Sequence, residues 1–305
     1  MSELVQKFSD KEIIQKIING DELMNNKVLS IQDISCFGQC STTVALPIIS
    51  ACGVECAILP SAVLSTHTAG AFREVGFTCC DLDGEFTKIE DKWNQLGIKF
   101  GSVYTGYLGT TSMIKMVMHI MDSCLEDGGL RIVDPAMADG GELYPAFNME
   151  YVDAMKVLCG CADYIIPNIS ESCFLTGTEY KEEYDEAYVK DLCTKLSALG
   201  CKNVILTGVG YMAGKTGVVV WNNGEYKYYE HEKLSKSYHG TGDIYSSVFV
   251  GAKMRGLDTF EAAKLAANYT YGCIVDTVLD ESHWYGVKFE LSLAKLGTTI
   301  SELLE

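Results

Sequence analysis

Short apolar runs rich in Val and Ile alternate with stretches of helical periodicity along most of the chain. Residues 28–34, 55–60, 99–105, 130–134, 163–167 and 203–207 read as strands, each mostly apolar and bounded by Gly, Pro, Asn, Asp or a charged residue. Between them, residues 41–53 and 110–126 repeat apolar positions at the three-to-four spacing of one helix face. Near-continuous apolar strands separated by helices predict an α/β fold. The expected form is a mostly parallel central sheet in three layers with helices on both faces, because strands buried on both sides need no polar alternation. After residue 207 the pattern changes. Two strand-like runs flank Asn222-Asn223-Gly224, where an Asn-Gly pair suits the positive φ angles of a tight hairpin. Helical patterns follow over 243–255, 259–279 and the C-terminus. No repeat, low-complexity tract or Pro/Ser-rich linker intervenes, so residues 25–305 read as one domain. Residues 1–24 stand apart as an N-terminal helical extension. The stretch 9–23, SDKEIIQKIINGDEL, is amphipathic, with a Ser-Asp start and a Gly near its end.

Charge narrows the partners. With 24 Lys and Arg against 41 Asp and Glu, the formal charge is −17. Such a chain, with no basic cluster, is a poor partner for nucleic acid or anionic lipid. The greasiest stretch, 44–64, is broken by Pro47, Ser50, Glu55 and Pro60, and no run reaches the roughly 20 apolar residues of a membrane span. The N-terminus lacks the apolar core of a secretory signal, so the expected location is the cytoplasm. Thirteen Cys form no CxxC pair and the five His are scattered, which points to reduced thiols and away from structural zinc.

Three motifs carry chemistry. His239-Gly240-Thr241-Gly242-Asp243 precedes a helical run. Glycines there let backbone N–H groups converge, the helix adds its positive end, and an Asp at its start can accept a proton from an attacking hydroxyl. Gly240-Thr241-Gly242-Asp243 before a helix is also an ordinary helix cap. Asp134-Pro135-Ala136-Met137-Ala138-Asp139-Gly140-Gly141 ends a strand, which is where ligands of open α/β sheets bind; its carboxylates suit Mg²⁺, and its composition also suits a plain turn. Pro167-Asn168-Ile169-Ser170-Glu171 again follows a strand and reads equally as a capping box. There is no GxxxxGK[ST], no GxGxxG after the first strand, and no HRD or DFG pair.

In this order, GTGD, the Asp134–Asp139 segment and PNxxE resemble the ribokinase-like (PfkB-type) family of small-molecule kinases, from about residue 28 to the C-terminus. Within it the chain looks like the pyridoxal kinases: Ser30-Ile31-Gln32 with its Gly-containing loop, Leu64-Ser65-Thr66-His67-Thr68-Ala69-Gly70, Thr105-Gly106-Tyr107-Leu108-Gly109 and DPAMADGGELY each resemble one of their segments. The resemblance implies ATP-dependent phosphorylation of the 5′-hydroxymethyl group of pyridoxal, pyridoxine or pyridoxamine, with Mg²⁺, in a homodimer. It implies Asp243 as base and Gly240, Thr241 and Gly242 as the anion hole. Asp33, His67, Thr68 and Tyr107 fall on the vitamin side, and Asn168, Thr207, Thr241 and Asp139 on the nucleotide side. Asp134 and Glu171 are left to manage the metal.

Two positions depart from the family pattern: Asp33 stands where Ser is usual, and Ala138 where Gly is usual. A carboxylate at 33 favours a substrate bearing an amine or N–H donor, unless it faces Gln39 or a backbone N–H and only shapes the loop. Hydroxymethylpyrimidine kinases and sugar or nucleoside kinases share the fold, and a non-catalytic vitamin or nucleotide sensor is the reading from another class. The stretch 77–86 is too short for a sugar-kinase lid, and a sensor has no use for Asp243 as a base. A monovalent-ion requirement stays open.

Overall fold

In the computed structural model of the protein, which describes residues 26–68 and 71–305, the predicted alternation becomes one nine-stranded sheet. The chain runs β1 (Lys27–Ser35), α1 (Thr42–Ala51), β2 (Glu55–Leu64), α2 (Ala71–Val75), β3 (Cys79–Asp81), α3 (Phe86–Gln95), β4 (Phe100–Thr105), α4 (Thr111–Cys124) and β5 (Leu125–Val133). It continues with β6 (Ala138–Asp139), β7 (Glu142–Leu143), α5 (Met149–Gly160), β8 (Tyr164–Ile165), α6 (Ile169–Thr176), α7 (Glu186–Ser197), β9 (Asn203–Thr207), β10 (Lys215–Asn222) and β11 (Glu225–Glu232). It closes with α8 (Thr241–Met254), α9 (Thr259–Val278) and α10 (Glu290–Leu304). The helix expected over 9–23 lies outside the described residues, as do Ala69 and Gly70.

The strand order is β11-β10-β9-β8-β5-β4-β1-β2-β3. From β9 to β2 every neighbouring pair is parallel, and only the edges, β10–β11 and β3, are antiparallel. The chain winds from β1 outward to β2 and β3, then crosses back to β4 on the other side of β1. Strand order reverses between β1 and β4, and the crevice beyond the strand C-termini at that point is where an open α/β sheet binds its ligands.

Side chains on the strands alternate between two cores, as a period of two requires. On one face Leu29, Val103, Val133, Ile165 and Val204 meet α4, α5, α6 and α7. On the other Val28, Tyr104, Ile132, Ile205 and Val218 meet α1, α8, α9 and α10. Asn223 (φ 49°) and Gly224 (φ 92°) make the two-residue hairpin turn, with Asn222 paired to Glu225. Several elements differ in extent from the sequence reading. β8 is only two residues long because the chain turns at once into the loop that ends at Pro167, and α8 starts at Thr241, inside the glycine motif. The stretch 77–86 forms edge strand β3 against β2, not a lid domain. All thirteen cysteines are free thiols, and no described helix is long and apolar enough to cross a membrane.

Candidate active site

The site gathers where β1, β4, β5, β8 and β9 end and α8 begins. Gly240 caps α8 in the left-handed region (φ 79°), and a Cβ there would lie 2.2 Å from the Gln39 carbonyl oxygen, so only glycine fits. Thr241 donates its hydroxyl to the Tyr238 carbonyl at 3.4 Å, and Gly242 is exposed. Asp243 occupies the first turn of α8, where it sits against the helix's positive end. Burial nonetheless pushes its pKa up to about 7. The charges of Asp134 and Asp33 add to the rise and the Ser41 backbone N–H opposes it.

Asp134 follows β5 and is nearly buried. Its Oδ2 accepts the Ser246 hydroxyl at 2.7 Å and its Oδ1 the Ala136 amide at 3.2 Å, which ties the end of β5 to α8. Ala136 takes a positive φ of 39°, which swings the chain toward β6 and β7. Asp139 is exposed, and its Oδ1 accepts from the Gly140 amide at 2.9 Å. Gly140 and Gly141 form the turn between β6 and β7, with Tyr180 packed so closely that a Cβ on Gly141 would lie 2.6 Å from its ring. Ala138 is accommodated in β6 with its side chain buried.

Asn168 and Glu171 form a full capping box on α6, each side chain accepting the other's backbone N–H at 2.9 Å. Glu171 goes further: its second oxygen accepts the Met137 amide at 2.9 Å, while Asn168 Nδ2 donates to the Ala138 carbonyl at 2.8 Å. The motif therefore cinches the loop that carries Asp134 and Asp139. Burial and the Asp134 charge raise the Glu171 pKa, and burial raises that of Asp134. Thr207 ends β9 and pairs with Asn168 across an isolated parallel bridge, its hydroxyl on the Pro167 carbonyl at 3.3 Å.

On the other side of the crevice Asp33 is buried near the end of β1 and accepts the Ser35 hydroxyl at 3.0 Å. Burial raises its pKa, against the opposing pull of the Ser41 and Ser35 hydroxyls. Gln39 does not face it: that amide donates to Glu290 at 2.6 Å and accepts from His283 at 2.8 Å. The Tyr107 ring packs on Phe147 at 5.3 Å, and its hydroxyl, pushed up to about 12, feels the charges of Asp33, Cys79 and Asp81 after burial itself. His67 is half-buried, with its amide on the Phe37 carbonyl at 2.9 Å and its ring tilted against that of His239, centroids 4.6 Å apart. Burial and the second imidazole push it down to about 4. Thr68 lies exposed at the rim.

Asp33 thus comes within electrostatic reach of both Tyr107 and Asp243, and Asp134 of Asp243, while Asn168 and Thr207 sit together further along the sheet. Sequence reasoning missed Ser246, although it lies three residues past Asp243 and shares its helix face. It also missed His239 as the ring neighbour of His67, a contact between loops far apart in the chain. Among the described residues no three His, Cys, Asp or Glu side chains gather at metal-binding distance.

Comparison with known proteins agrees with this fold. The family described as phosphomethylpyrimidine kinase matches residues 77–286. The chain is 29% identical to the pyridoxal kinase of Dictyostelium discoideum over 246 residues, 76% of this chain and 80% of that one. A solved candidate phosphomethylpyrimidine kinase from Bacteroides thetaiotaomicron is similar at 34% identity and a TM-score of 0.84, over 88% of this chain and 93% of that one. A second crystal form of it, at 33% identity and a TM-score of 0.82, is with pyridoxal. Pyridoxal kinase from Lactobacillus plantarum is similar at 26% identity and a TM-score of 0.82, over 90% of this chain and 98% of that one.

Proposed function

The chain belongs to the phosphomethylpyrimidine kinase family, and from that premise we propose that it is an ATP-dependent pyridoxal kinase, transferring the γ-phosphoryl group to the 5′-hydroxymethyl group of a B6 vitamer. The observation that carries the reading is that Asp33, near the end of β1, lies within electrostatic reach both of Tyr107, just past β4, and of Asp243, in the first turn of α8. Relatives that cover most of the chain are pyridoxal kinases. Hydroxymethylpyrimidine kinases are the related family on the same fold. Residues 25–305 act as the kinase domain.

Asp243 is the base. The 5′-hydroxyl gives its proton to the Asp243 carboxylate as its oxygen bonds the γ-phosphorus, and the bond to the bridging oxygen of ADP breaks. A base titrating near neutrality is half-ready at the working pH, which is where general-base catalysis is most effective. The backbone amides from Gly240 to Gly242 face the transferring oxygens with the α8 dipole behind them, so positioning and electrostatics supply most of the rate. Asp33, His67, Thr68 and Tyr107 hold the ring. Asn168, Thr207 and Thr241 lie along the nucleotide.

The donors fit Mg²⁺ held mainly by water and phosphate, not by a protein cage: Asp134 and Asp139 supply hard carboxylate oxygens, and the buried carboxylates Asp33, Asp134, Glu171 and Asp243 feel one another's charge. Asp134 and Asp139 would hold it through water, while Glu171 adds charge and fixes their loop. When bound, Mg²⁺ offsets the charge on the β- and γ-phosphates. A cytoplasmic homodimer completes the reading, and size-exclusion chromatography with light scattering tests the assembly.

The decisive experiment is a coupled ADP-release assay with pyridoxal, pyridoxamine, pyridoxine, hydroxymethylpyrimidine and ribose. Turnover with the B6 vitamers is expected to lead. Turnover confined to hydroxymethylpyrimidine moves the substrate to the related family, and binding without ADP release with any of them makes the protein a sensor.

A further inference from the structure

Gln39 stands in the loop between β1 and α1, half-buried, where stretches of chain some 200 to 250 positions further on close around it. Its amide Nε2 donates to Glu290 Oε1, in the first turn of α10, at 2.6 Å. Its Oε1 lies 2.8 Å from Nε2 of His283, a buried residue in the loop between α9 and α10. The chemistry of the three groups fixes the direction of this relay. A carboxylate only accepts, so the Gln39 NH₂ faces Glu290 and its carbonyl is left for His283. That carbonyl also only accepts, so His283 carries its proton on Nε2 and donates it there.

The main chain of the same residue faces the glycine motif. Gln39 has φ 37°, and its carbonyl oxygen stands 2.2 Å from where a Cβ on Gly240 would lie. On another side Gly286 closes in, and a Cβ there would lie 2.5 Å from the Gln39 Cβ. The residue before it, Gly38, packs on His67, whose ring lies against that of His239, next to Gly240. Gln39 is thus clamped between two glycines, with its side-chain amide tied at both ends. A residue with a Cβ held at positive φ by its surroundings, beside reacting groups, marks a functional constraint.

We propose that Gln39 is a positioning residue for the anion hole: Glu290 and His283 hold its side chain, and its main chain in turn holds Gly240. The inference rests on the reading of the Gly240–Gly242 amides as the hole for the transferring phosphoryl group. A glycine has a wide range of φ and ψ open to it, so a contact from outside must select the one that aims those amides. Donors act on developing charge only when they are fixed in advance of the reaction. The start of α10 and the loop before it therefore set the geometry of a hole they do not line, and loosening them should slow the chemical step without weakening ground-state binding.

Gln39→Ala removes both side-chain bonds. Its kcat should fall about 10-fold, the scale for losing a hydrogen bond to a charged group. KM for ATP and for the B6 vitamer should stay within about 2-fold, the pattern of an interaction made in the transition state only. Glu290→Ala should share the kcat loss, and it serves if Gln39→Ala folds poorly. Glu290→Gln, whose side-chain oxygen still accepts from Gln39, should recover most of it. Because the two residues act through one contact, Gln39→Ala with Glu290→Ala should be no slower than Gln39→Ala alone. A readout free of turnover follows the same contacts: in the amide ¹H–¹⁵N spectrum of the nucleotide-free protein, the Gly240 and Thr241 signals should move in Gln39→Ala and stay in place in Glu290→Gln. Wild-type kcat in Gln39→Ala, additive losses in the double variant, or unmoved Gly240 and Thr241 signals overturn the positioning. In a protein that releases no ADP with any substrate, moved signals uphold the positioning and the kinase reading alone fails.

Discussion

On the side of the site proposed for the nucleotide, backbone groups do the holding. Both oxygens of Glu171 accept main-chain N–H groups, Asn168 reaches back to the Ala138 carbonyl, and α8 opens with no side-chain cap. On the side proposed for the vitamin, side chains do it: Asp33 on the Ser35 hydroxyl, Tyr107 on Phe147 and His67 on His239. The difference follows from the ligands. Every nucleotide presents the same phosphates, which amides and a helix end can bind whatever side chains surround them. A particular heterocycle is told from its relatives only by side-chain groups matched to its edge, so that half of the site is the part that can change.

The two halves should break differently. Asp243, where they meet, gives the largest effect: Asp243→Asn should lower kcat at least about 10²-fold while ADP affinity by calorimetry and the circular dichroism spectrum stay as in wild type. Near-normal turnover would reduce Asp243 to a helix cap. Next comes Glu171→Ala, which strands the Met137 and Asn168 amides. Each buried donor left unpaired costs about 1–3 kcal/mol, so Tm should fall by several degrees and KM for ATP rise about 10-fold, with KM for the vitamer little changed. An equal rise in both KM values would mean that the halves are not separable.

Asp33→Ser tests the vitamin side alone. A carboxylate pairs better with an ammonium than with an aldehyde, and charge-assisted bonds are about twice as strong as neutral ones. Wild-type enzyme should therefore prefer pyridoxamine to pyridoxal by about 10-fold in kcat/KM, about 1.4 kcal/mol, and the substitution should abolish the preference. An unchanged ratio assigns Asp33 to scaffolding. The pH dependence of stability sharpens the same contrast at smaller scale. Asp243 binds its proton more tightly folded than unfolded, so its contribution is fully present below the ordinary carboxylate pKa of about 3.9 and is lost as pH rises through about 7. Wild-type Tm should thus drop more steeply between about pH 5 and pH 8 than that of Asp243→Asn, by differential scanning calorimetry. Smallest of all, removal of residues 1–23 should leave kcat/KM within a few-fold, since every motif follows Met24; a collapse of kcat in a folded truncation would place that segment in the site.

The nucleotide half was largely legible in the sequence because its chemistry is local. A capping box is written within four residues, Asn168 to Glu171, and a glycine-rich helix start within five, His239 to Asp243. The strands of the parallel sheet were legible for a similar reason, since burial on both faces leaves a run of apolar residues that needs no partner to be seen. The vitamin half was not. Asp33 stood out as a departure, but its partner Ser35 was not read as such, and Gln39, considered as one, turned out to face Glu290 and His283.

The sequence by itself determined the alternation of strands and helices, the hairpin at Asn223-Gly224 and the motifs that end β5, β8 and open α8, because each depends on neighbours within a turn or a strand. Only the tertiary structure decided that Glu171 gives its second oxygen to the Met137 amide and that Asp134 answers to Ser246 on another layer. Those contacts join residues tens to hundreds of positions apart. They exist because strand order reverses between β1 and β4 and brings the loops after distant strands to one end of the sheet. Desolvation at that end then moves the carboxylate pKa values upward, and burial is a property of the folded neighbourhood that no local run of residues encodes.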